Sequence, residues 1–227
     1  MSIAENIKSY NQKLDGTDCK LVAVSKTKPN ELLQEAYDAG QRIFGENKVQ
    51  ELVEKSETLP KDIQWHMIGH LQRNKVKYIA PFVSLIHSID SPRLLKEVQK
   101  RATQNERIID VLLQVFIAEE ETKFGFDKEE LTSFLSSDEF KEMTNVRVIG
   151  VMGMATNTSD QNQVRKEFAS LKSLFEELKS SFNALDNVAL SEISMGMSGD
   201  YQIAVEEGST MIRVGSAIFG ARNYGTM

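Results

Sequence analysis

The sequence predicts an α/β fold, a single (β/α)8 barrel of the TIM type with one extra helix at its N-terminus, spanning residues 1–227 as one domain. Three observations predict it. Eight short strand-like runs alternate with helical stretches from one end of the chain to the other, the first of them the apolar Leu21-Val22-Ala23-Val24. Strict alternation of this kind implies parallel strands joined by crossover helices. The chain has 227 residues and no linker, composition shift or internal repeat, and a closed barrel of eight such units typically takes about 250. An open doubly wound sheet is the alternative, but the first turn lacks the GxGxxG pattern that a dinucleotide-binding sheet would carry.

The elements follow in order. Met1 to Leu14 sets Ile3, Ile7 and Leu14 on one face among Glu5, Lys8 and Lys13, which reads as an amphipathic opening helix and not as a signal peptide. Leu21-Val22-Ala23-Val24 is the first strand, ending on Ser25-Lys26. Pro29 turns the chain, Asn30 is expected to cap the next helix, and Gly40 ends it. Strands follow at 41–45, 63–68 and 83–89, with helices from Glu46-Asn47 to about Thr58 and from Leu71 to Ala80. Ser91-Pro92 opens another helix with proline at its first position. The fifth strand, 108–117, is expected to be the longest. A loop over 119–126 leads to a helix over 127–135, and the sixth strand covers 146–152. A long amphipathic helix covers 160–182 and the seventh strand 188–193. A helix over 198–207 is stopped by Gly208, and the eighth strand covers 210–214. Ser216 to Asn223 ends the chain as a short helix.

Composition excludes several classes of function. A formal net charge of −6 and a pI near 5.3 argue against a nucleic-acid partner, which needs a basic face. No segment approaches the run of about 18 apolar residues that spans a membrane. A single Cys19 can form no internal disulfide, which fits a reducing, cytoplasmic setting.

The unusual residues fall at one kind of place. In a barrel the carboxyl ends of the strands converge on one face, and that face holds the site. After the strands come Lys26, then Asn47, then His66 with Gly69, then Met152-Gly153-Met154, Ser194-Met195-Gly196-Met197-Ser198 and Arg213-Val214-Gly215-Ser216. Lys26 sits at the end of a buried strand. Partial burial lowers a lysine's pKa and leaves more of the amine that attacks carbonyls, so Lys26 is a Schiff-base candidate; the bland reading is a surface lysine just past a strand. Gly215-Ser216 and the 194–198 segment each open a helix after strands eight and seven, where barrels often bind phosphate; ordinary serine caps are the competing reading. Met195 and Met197 could line a ring-shaped ligand. A lysine, a phosphate cradle and an arginine on one rim suggest pyridoxal 5'-phosphate, with Arg213 at the ring nitrogen, where a permanent cation weakens the electron sink.

Other motifs are discounted. His66 and His70 are four apart but straddle a strand end and a glycine, and no HExxH glutamate accompanies them, so no metal is expected. His87 reads as a satisfied core or rim histidine. Glu119-Glu120-Glu121 reads as a solvated loop.

VAVSKTKP, FGENKVQE, WHMIGHLQRNK, VMGMAT and SMGMSGDYQIAVEEGSTMIRVGSAIFG together resemble the pyridoxal phosphate homeostasis protein family, essentially from end to end. The resemblance implies a barrel like the N-terminal domain of bacterial alanine racemase. It implies that Lys26 carries the cofactor as a Schiff base, and that Ser194, Gly215 and Ser216 hold the phosphate with Met195 and Ser198 nearby. It further implies that Arg213 faces the pyridine nitrogen and that Asn47 and His66 line the pocket. His70 departs from the family, where that position is often small or proline. The family is implied to bind and buffer the cofactor without substantial amino-acid turnover, with cofactor-dependent apoenzymes as candidate partners.

A weak amino-acid racemase is the runner-up. Racemisation needs acid/base groups on both faces of the cofactor. Racemases supply the second one with help from an additional C-terminal domain. This sequence stops thirteen residues after Val214, and Tyr201 and Tyr224 lie in or beyond terminal helices. No catalytic residue is therefore assigned, and a monomer is expected. A cofactor-free lysine aldolase is the third reading.

Overall fold

Eight strands, each parallel to its neighbours, close on one another in sequence order in the computed structural model, which describes residues 2–118 and 125–221. They are β1 (Lys20–Val24), β2 (Ile43–Glu46), β3 (Gln64–Met67), β4 (Leu85–Ile89), β5 (Ile109–Gln114), β6 (Val146–Met152), β7 (Val188–Met197) and β8 (Met211–Val214). β8 returns to β1, pairing Lys20 with Met211 and Ala23 with Val214, so the sheet is a barrel and not an open one. Helices α1 (Ile3–Leu14), α2 (Asn30–Asp38), α3 (Val49–Thr58), α4 (Val76–Ile79) and α5 (Pro92–Gln104) come from the first half. From the second come α6 (Lys128–Ser136), α7 (Asp138–Lys141), α8 (Gln161–Phe182), α9 (Tyr201–Glu206) and α10 (Ser216–Phe219).

The period-2 alternation of the strands divides the core in two. Outward-facing residues such as Ala23, Phe44, Trp65, Ile86, Val111, Val151 and Ile193 meet the helices in one large cluster. Inward-facing Val22, Leu85, Leu112, Met152 and Met211 fill the barrel itself. The extra helix α1 buries Ile3, Ile7, Tyr10 and Leu14, positions that share one helical face. Its start is a capping box: Glu5 N–H donates to Ser2 Oγ and Ser2 N–H to Glu5 Oε2. A cap of this kind stabilises a helix by about 1 kcal/mol.

Several boundaries differ from the sequence expectation. Asn30 is the first residue of α2 and not its cap; its side chain donates to Thr58 Oγ1 instead. The 71–80 stretch is a 3-10 turn over Arg73–Lys75 followed by the short α4. Ser91 does precede Pro92 at the start of α5, but its hydroxyl donates to Asp90. α7 was not foreseen. β5 is six residues long, and β7, at ten, is the longest strand. β7 runs on through Met197, so 194–197 is strand and α9 begins only at Tyr201. The acidic run at 119–121, residues 222–223 of the expected last helix and Tyr224 lie outside the described residues.

Candidate functional site

The carboxyl ends of β1, β2, β3, β7 and β8 surround a cavity of about 320 Å³. Val24, Lys26 and Lys28 line it from the β1 side, and Asn47 and Ile68 from β2 and β3. Met154 comes from beyond β6 and Met197, Ser198 and Gly199 from β7, and Arg213, Gly215, Ser216 and Gly220 complete the lining from β8, next to β1. Three cationic residues therefore line the space, and no acidic residue is among the described lining residues. Close backbone approach shapes the β2–β3 wall. A Cβ on Gly69 would sit 2.5 Å from the Asn47 carbonyl oxygen, so only glycine lets this turn press Asn47 toward the cavity.

Lys26 follows β1 on an unusual turn. Thr27 has φ +64°, the left-handed region that a β-branched residue avoids, at a cost of order 1–3 kcal/mol. The turn is anchored from outside the barrel. Thr27 N–H donates to Glu51 Oε2 at 2.7 Å. On the other side of Lys26, the Ser25 carbonyl accepts from Lys55 Nζ at 2.9 Å, and the Ser25 hydroxyl donates to Glu46 Oε1 at 2.6 Å. Lys55 also pairs with Glu46 Oε1 at 2.7 Å and with Glu51 Oε2 at 3.3 Å. Ser25, Glu46 and Lys55 are all buried beneath α3. Burial pushes the Glu46 carboxyl upward against the pull of Lys55. Burial also pushes Glu51 up, but the Thr27 amide and the Lys55 ammonium outweigh it and hold Glu51 below the usual carboxylate range.

A second polar chain crosses the barrel interior beneath the cavity. Arg213 Nη1 donates to Ser194 Oγ at 2.6 Å, and Nη2 to the Gly153 carbonyl at 3.1 Å. Ser194 Oγ meets His87 Nδ1 at 2.9 Å, and His87 Nε2 meets His66 Nδ1 at 2.9 Å. All four residues are buried. Burial brings Arg213 down to about 10, still cationic at neutral pH. Burial, with Lys20 adding repulsion, takes His66 to about 3, and burial also holds His87 well below its ordinary value, so both rings are neutral.

The residues singled out in the sequence divide accordingly. Lys26, Asn47, Ser198, Arg213, Gly215 and Ser216 meet at the cavity, as does Met197. Ser194 and His66 do not line it; they stand one layer below, as supports for Arg213. Met195 is not among the lining residues. Because β7 continues past Ser194, alternation turns the Met195 side chain outward, fully buried in the core between sheet and helices. The phosphate cradle read as a helix opening at 194–198 is likewise strand. His70 turns away to Asp90, with Nδ1 and Oδ2 3.2 Å apart. Among the described residues no group of three His, Cys, Asp or Glu could hold a metal, and no helix is long and apolar enough to cross a membrane. Lys28 went unnoticed in the sequence, although a second lysine two residues past a strand-end lysine shares its direction. Its Nζ donates to the carbonyls of Phe219, Gly220 and Ala221 at 2.8–3.1 Å. Glu46, Glu51 and Lys55 were missed too; the one signal was a glutamate closing a buried strand, in Phe44-Gly45-Glu46.

A closed parallel barrel with a lysine after its first strand and an arginine in its last defines a class. The family profile described as "Alanine racemase, N-terminal domain" matches residues 1–223. The pyridoxal phosphate homeostasis protein of Aquifex aeolicus is 43% identical over 211 residues, covering 92% of this chain and 90% of that protein. The human protein of the same name is 41% identical over 217 residues, 90% of this chain and 77% of its own length. The structure of PipY from Synechococcus elongatus with PLP bound superimposes with a TM-score of 0.86 at 34% identity, covering 96% of this chain and 100% of that one. Alanine racemase from Bartonella henselae shares the fold, with a TM-score of 0.74 at 16% identity, over 99% of this chain and 60% of the racemase. The chain belongs to the pyridoxal phosphate homeostasis protein family, within the alanine racemase N-terminal domain class.

Proposed function

We propose that this chain is one barrel domain that binds pyridoxal 5'-phosphate and serves its intracellular homeostasis, holding the cofactor on Lys26 without substantial amino-acid turnover. One observation carries the reading: Lys26, Arg213 and the small polar rim of Ser198, Gly215 and Ser216 all line one cavity of about 320 Å³. That volume, the surplus of cations and the flat apolar sides of Ile68 and Met197 suit a small aromatic phosphate. When bound, the group supplies an aldehyde that condenses with the Lys26 amine, losing one water as C=N replaces C=O.

The chain's own residues do the rest. Ser216 and Ser198 offer hydroxyls to the phosphate, and the first amides of α10 have no acceptor within their helix. Arg213 would hold a permanent cation beside the bound group, and a cation at the ring nitrogen would disfavour its protonation and so restrain carbanion chemistry. The Ser194–His87–His66 chain fixes the plane of that guanidinium from below. Lys28 spends its protons on three carbonyls and is poorly placed as a second base. The family's name supports a buffering role over a catalytic one. We further propose that the protein acts as a monomer in the cytoplasm and exchanges the cofactor with dependent apoenzymes. Cys19, the sole cysteine, is buried with its thiol pushed up to about 11 by burial, which suits a protein that needs no disulfide.

The test is the visible absorption spectrum after incubation with pyridoxal phosphate, before and after borohydride. Wild type should show a yellow band that reduction bleaches, and Lys26→Ala should show none. A wild type that stays colourless sinks the cofactor assignment. Robust racemisation of any amino acid, lost in Lys26→Ala, would sink the non-catalytic half.

A further inference from the structure

Lys26 is flanked in the chain by two residues that are both tied to the outside of the barrel. Alternation along β1 turns Val24 and Lys26 toward the cavity and Ser25 outward, under α3. There two side chains hold Ser25, Lys55 through its carbonyl and Glu46 through its hydroxyl, beside the backbone bonds of its amide to Gly45 and of its carbonyl to Lys28. Thr27 is held once, through its amide, by Glu51. Glu51 and Lys55 lie four apart on α3 and also pair with each other, so one face of one helix grips both peptide neighbours of the lysine.

We propose that Glu51 and Lys55 of α3, with Glu46 of β2, are positioning residues that hold the Lys26 amine aimed into the cavity. The proposal rests on the cofactor reading for its purpose, but not for its geometry.

Two features argue that the cluster does more than pack. Burying the Glu46 carboxylate and the Lys55 ammonium, with Glu51 only partly covered, is a poor way to stabilise a helix against a sheet, because desolvation offsets the attraction and apolar side chains would pack there at least as well. Glu46 Oε2 is sealed from solvent with no hydrogen-bond partner, a cost that packing alone gives no reason to keep. The turn being gripped is closed by its own bond from the Lys28 N–H to the Ser25 carbonyl at 3.1 Å, and it also carries strain. Thr27 is exposed, carries a β-branched side chain at positive φ, and is kept in that region by the bond from its amide to Glu51. Without the Glu51 bond, only the Lys28 N–H to Ser25 carbonyl bond opposes relaxation of Thr27 to negative φ, which would rotate the peptide that leads out of Lys26. Strain held by surrounding structure at a reactive residue is the pattern expected of pre-organisation.

The test reads Lys26 directly. The protein without added cofactor is pulsed with an amine-acylating reagent, and the rate of modification at Lys26 is measured by peptide mass spectrometry against exposed Lys8 and Lys13 in the same molecule. The Glu51 side chain is 23% exposed, so Glu51→Ala does not empty the core, and circular dichroism checks the fold. Glu51→Ala should slow Lys26 about tenfold relative to the reference lysines, the loss expected when a strained turn relaxes. Glu51→Gln keeps an oxygen for the Thr27 amide and should recover most of the rate. Thr27→Gly removes the need for an anchor, since glycine takes positive φ freely, so adding Glu51→Ala to it should cost little more than the single glycine change. Unchanged Lys26 reactivity in Glu51→Ala, or an equal loss with and without Thr27→Gly, overturns the proposal. The visible band on adding pyridoxal phosphate is recorded in parallel. A wild type that takes up no cofactor while Glu51→Ala still slows Lys26 removes the functional reading and leaves the positioning role standing.

Discussion

Two buried polar networks serve one cavity, and they are built in opposite ways. The outer one, beneath α3, gathers Glu46, Glu51 and Lys55 around the backbone on either side of Lys26. The inner one, inside the barrel, runs from Arg213 through Ser194 and His87 to His66 and carries a single permanent charge. The outer network balances charge against charge. The inner network avoids charge, since burial keeps both imidazoles neutral. The difference follows from location. Ser194, His87 and His66 are all buried, so a second ion among them would lose its hydration. The seam under α3 can offer a matched pair. The two networks should therefore respond differently to deletion and to pH.

The largest expected effect is on the outer network. Glu46→Ala removes the buried partner of the Lys55 ammonium, leaving it Glu51 at 3.3 Å and the Ser25 carbonyl, and should lower stability by about 3 kcal/mol in chemical denaturation. Replacing Glu46 and Lys55 together by methionine should restore much of that loss, because no charge is then left unpaired. A single-variant cost below about 1 kcal/mol would show that the cluster is solvated, and the contrast between the networks would collapse. On the inner network, Ser194→Ala leaves Arg213 Nη1 and His87 Nδ1 without their shared partner and should cost about 1–3 kcal/mol. The same change should weaken pyridoxal phosphate binding in a fluorescence titration while leaving the Lys26 attachment intact. Unaltered affinity would mean that the relay does not support Arg213.

The pH response sharpens the contrast. Below pH 6.5 the unfolded chain protonates His66, while the folded chain resists until about pH 3. The unfolded state binds more protons across that window, so the group's contribution falls as pH falls, by up to about 1.4 kcal/mol per pH unit. Glu46 has the opposite sign. Its folded pKa is raised, so its contribution is full below about 4.5 and is lost as pH rises through the folded value. An NMR titration of the histidine rings measures the first directly: the His66 signals should stay flat from pH 8 to pH 5. A midpoint near 6.5 would place water inside the barrel. The smallest effect is expected far from both networks, where the half-exposed Arg147 pairs with Asp110 through two hydrogen bonds. Arg147→Ala should cost about 0.2–1 kcal/mol and leave the cavity untouched.

How much of this was legible varied residue by residue. Lys26, Asn47, Arg213, Gly215 and Ser216 could be assembled without coordinates, because strand ends in a barrel share one rim and the strands were readable from their apolar runs. Met195 could not be placed correctly. Its side depends on whether β7 stops at Ile193 or runs to Met197, and a shift in where a strand ends decides which alternate residues face the ligand. His66 was placed on the cavity wall, whereas Ser194 and His87 draw it into the layer beneath. The outer cluster was invisible for a different reason. Glu51 and Lys55 on an amphipathic helix look like any solvated pair four apart.

What the sequence determined by itself is periodicity and its consequences: eight strands alternating with helices, a parallel sheet, and a rim carrying a lysine and an arginine. These are local properties, since hydrophobic spacing and turn residues act over a few positions. What only the tertiary structure decided is depth. Whether Glu46 meets Lys55 or water, whether His66 lines a wall or supports an arginine, and whether Met195 faces ligand or core all depend on contacts between residues far apart in the chain. His87 and Ser194 stand 107 positions apart and 2.9 Å from each other, and no pattern along the chain encodes that distance.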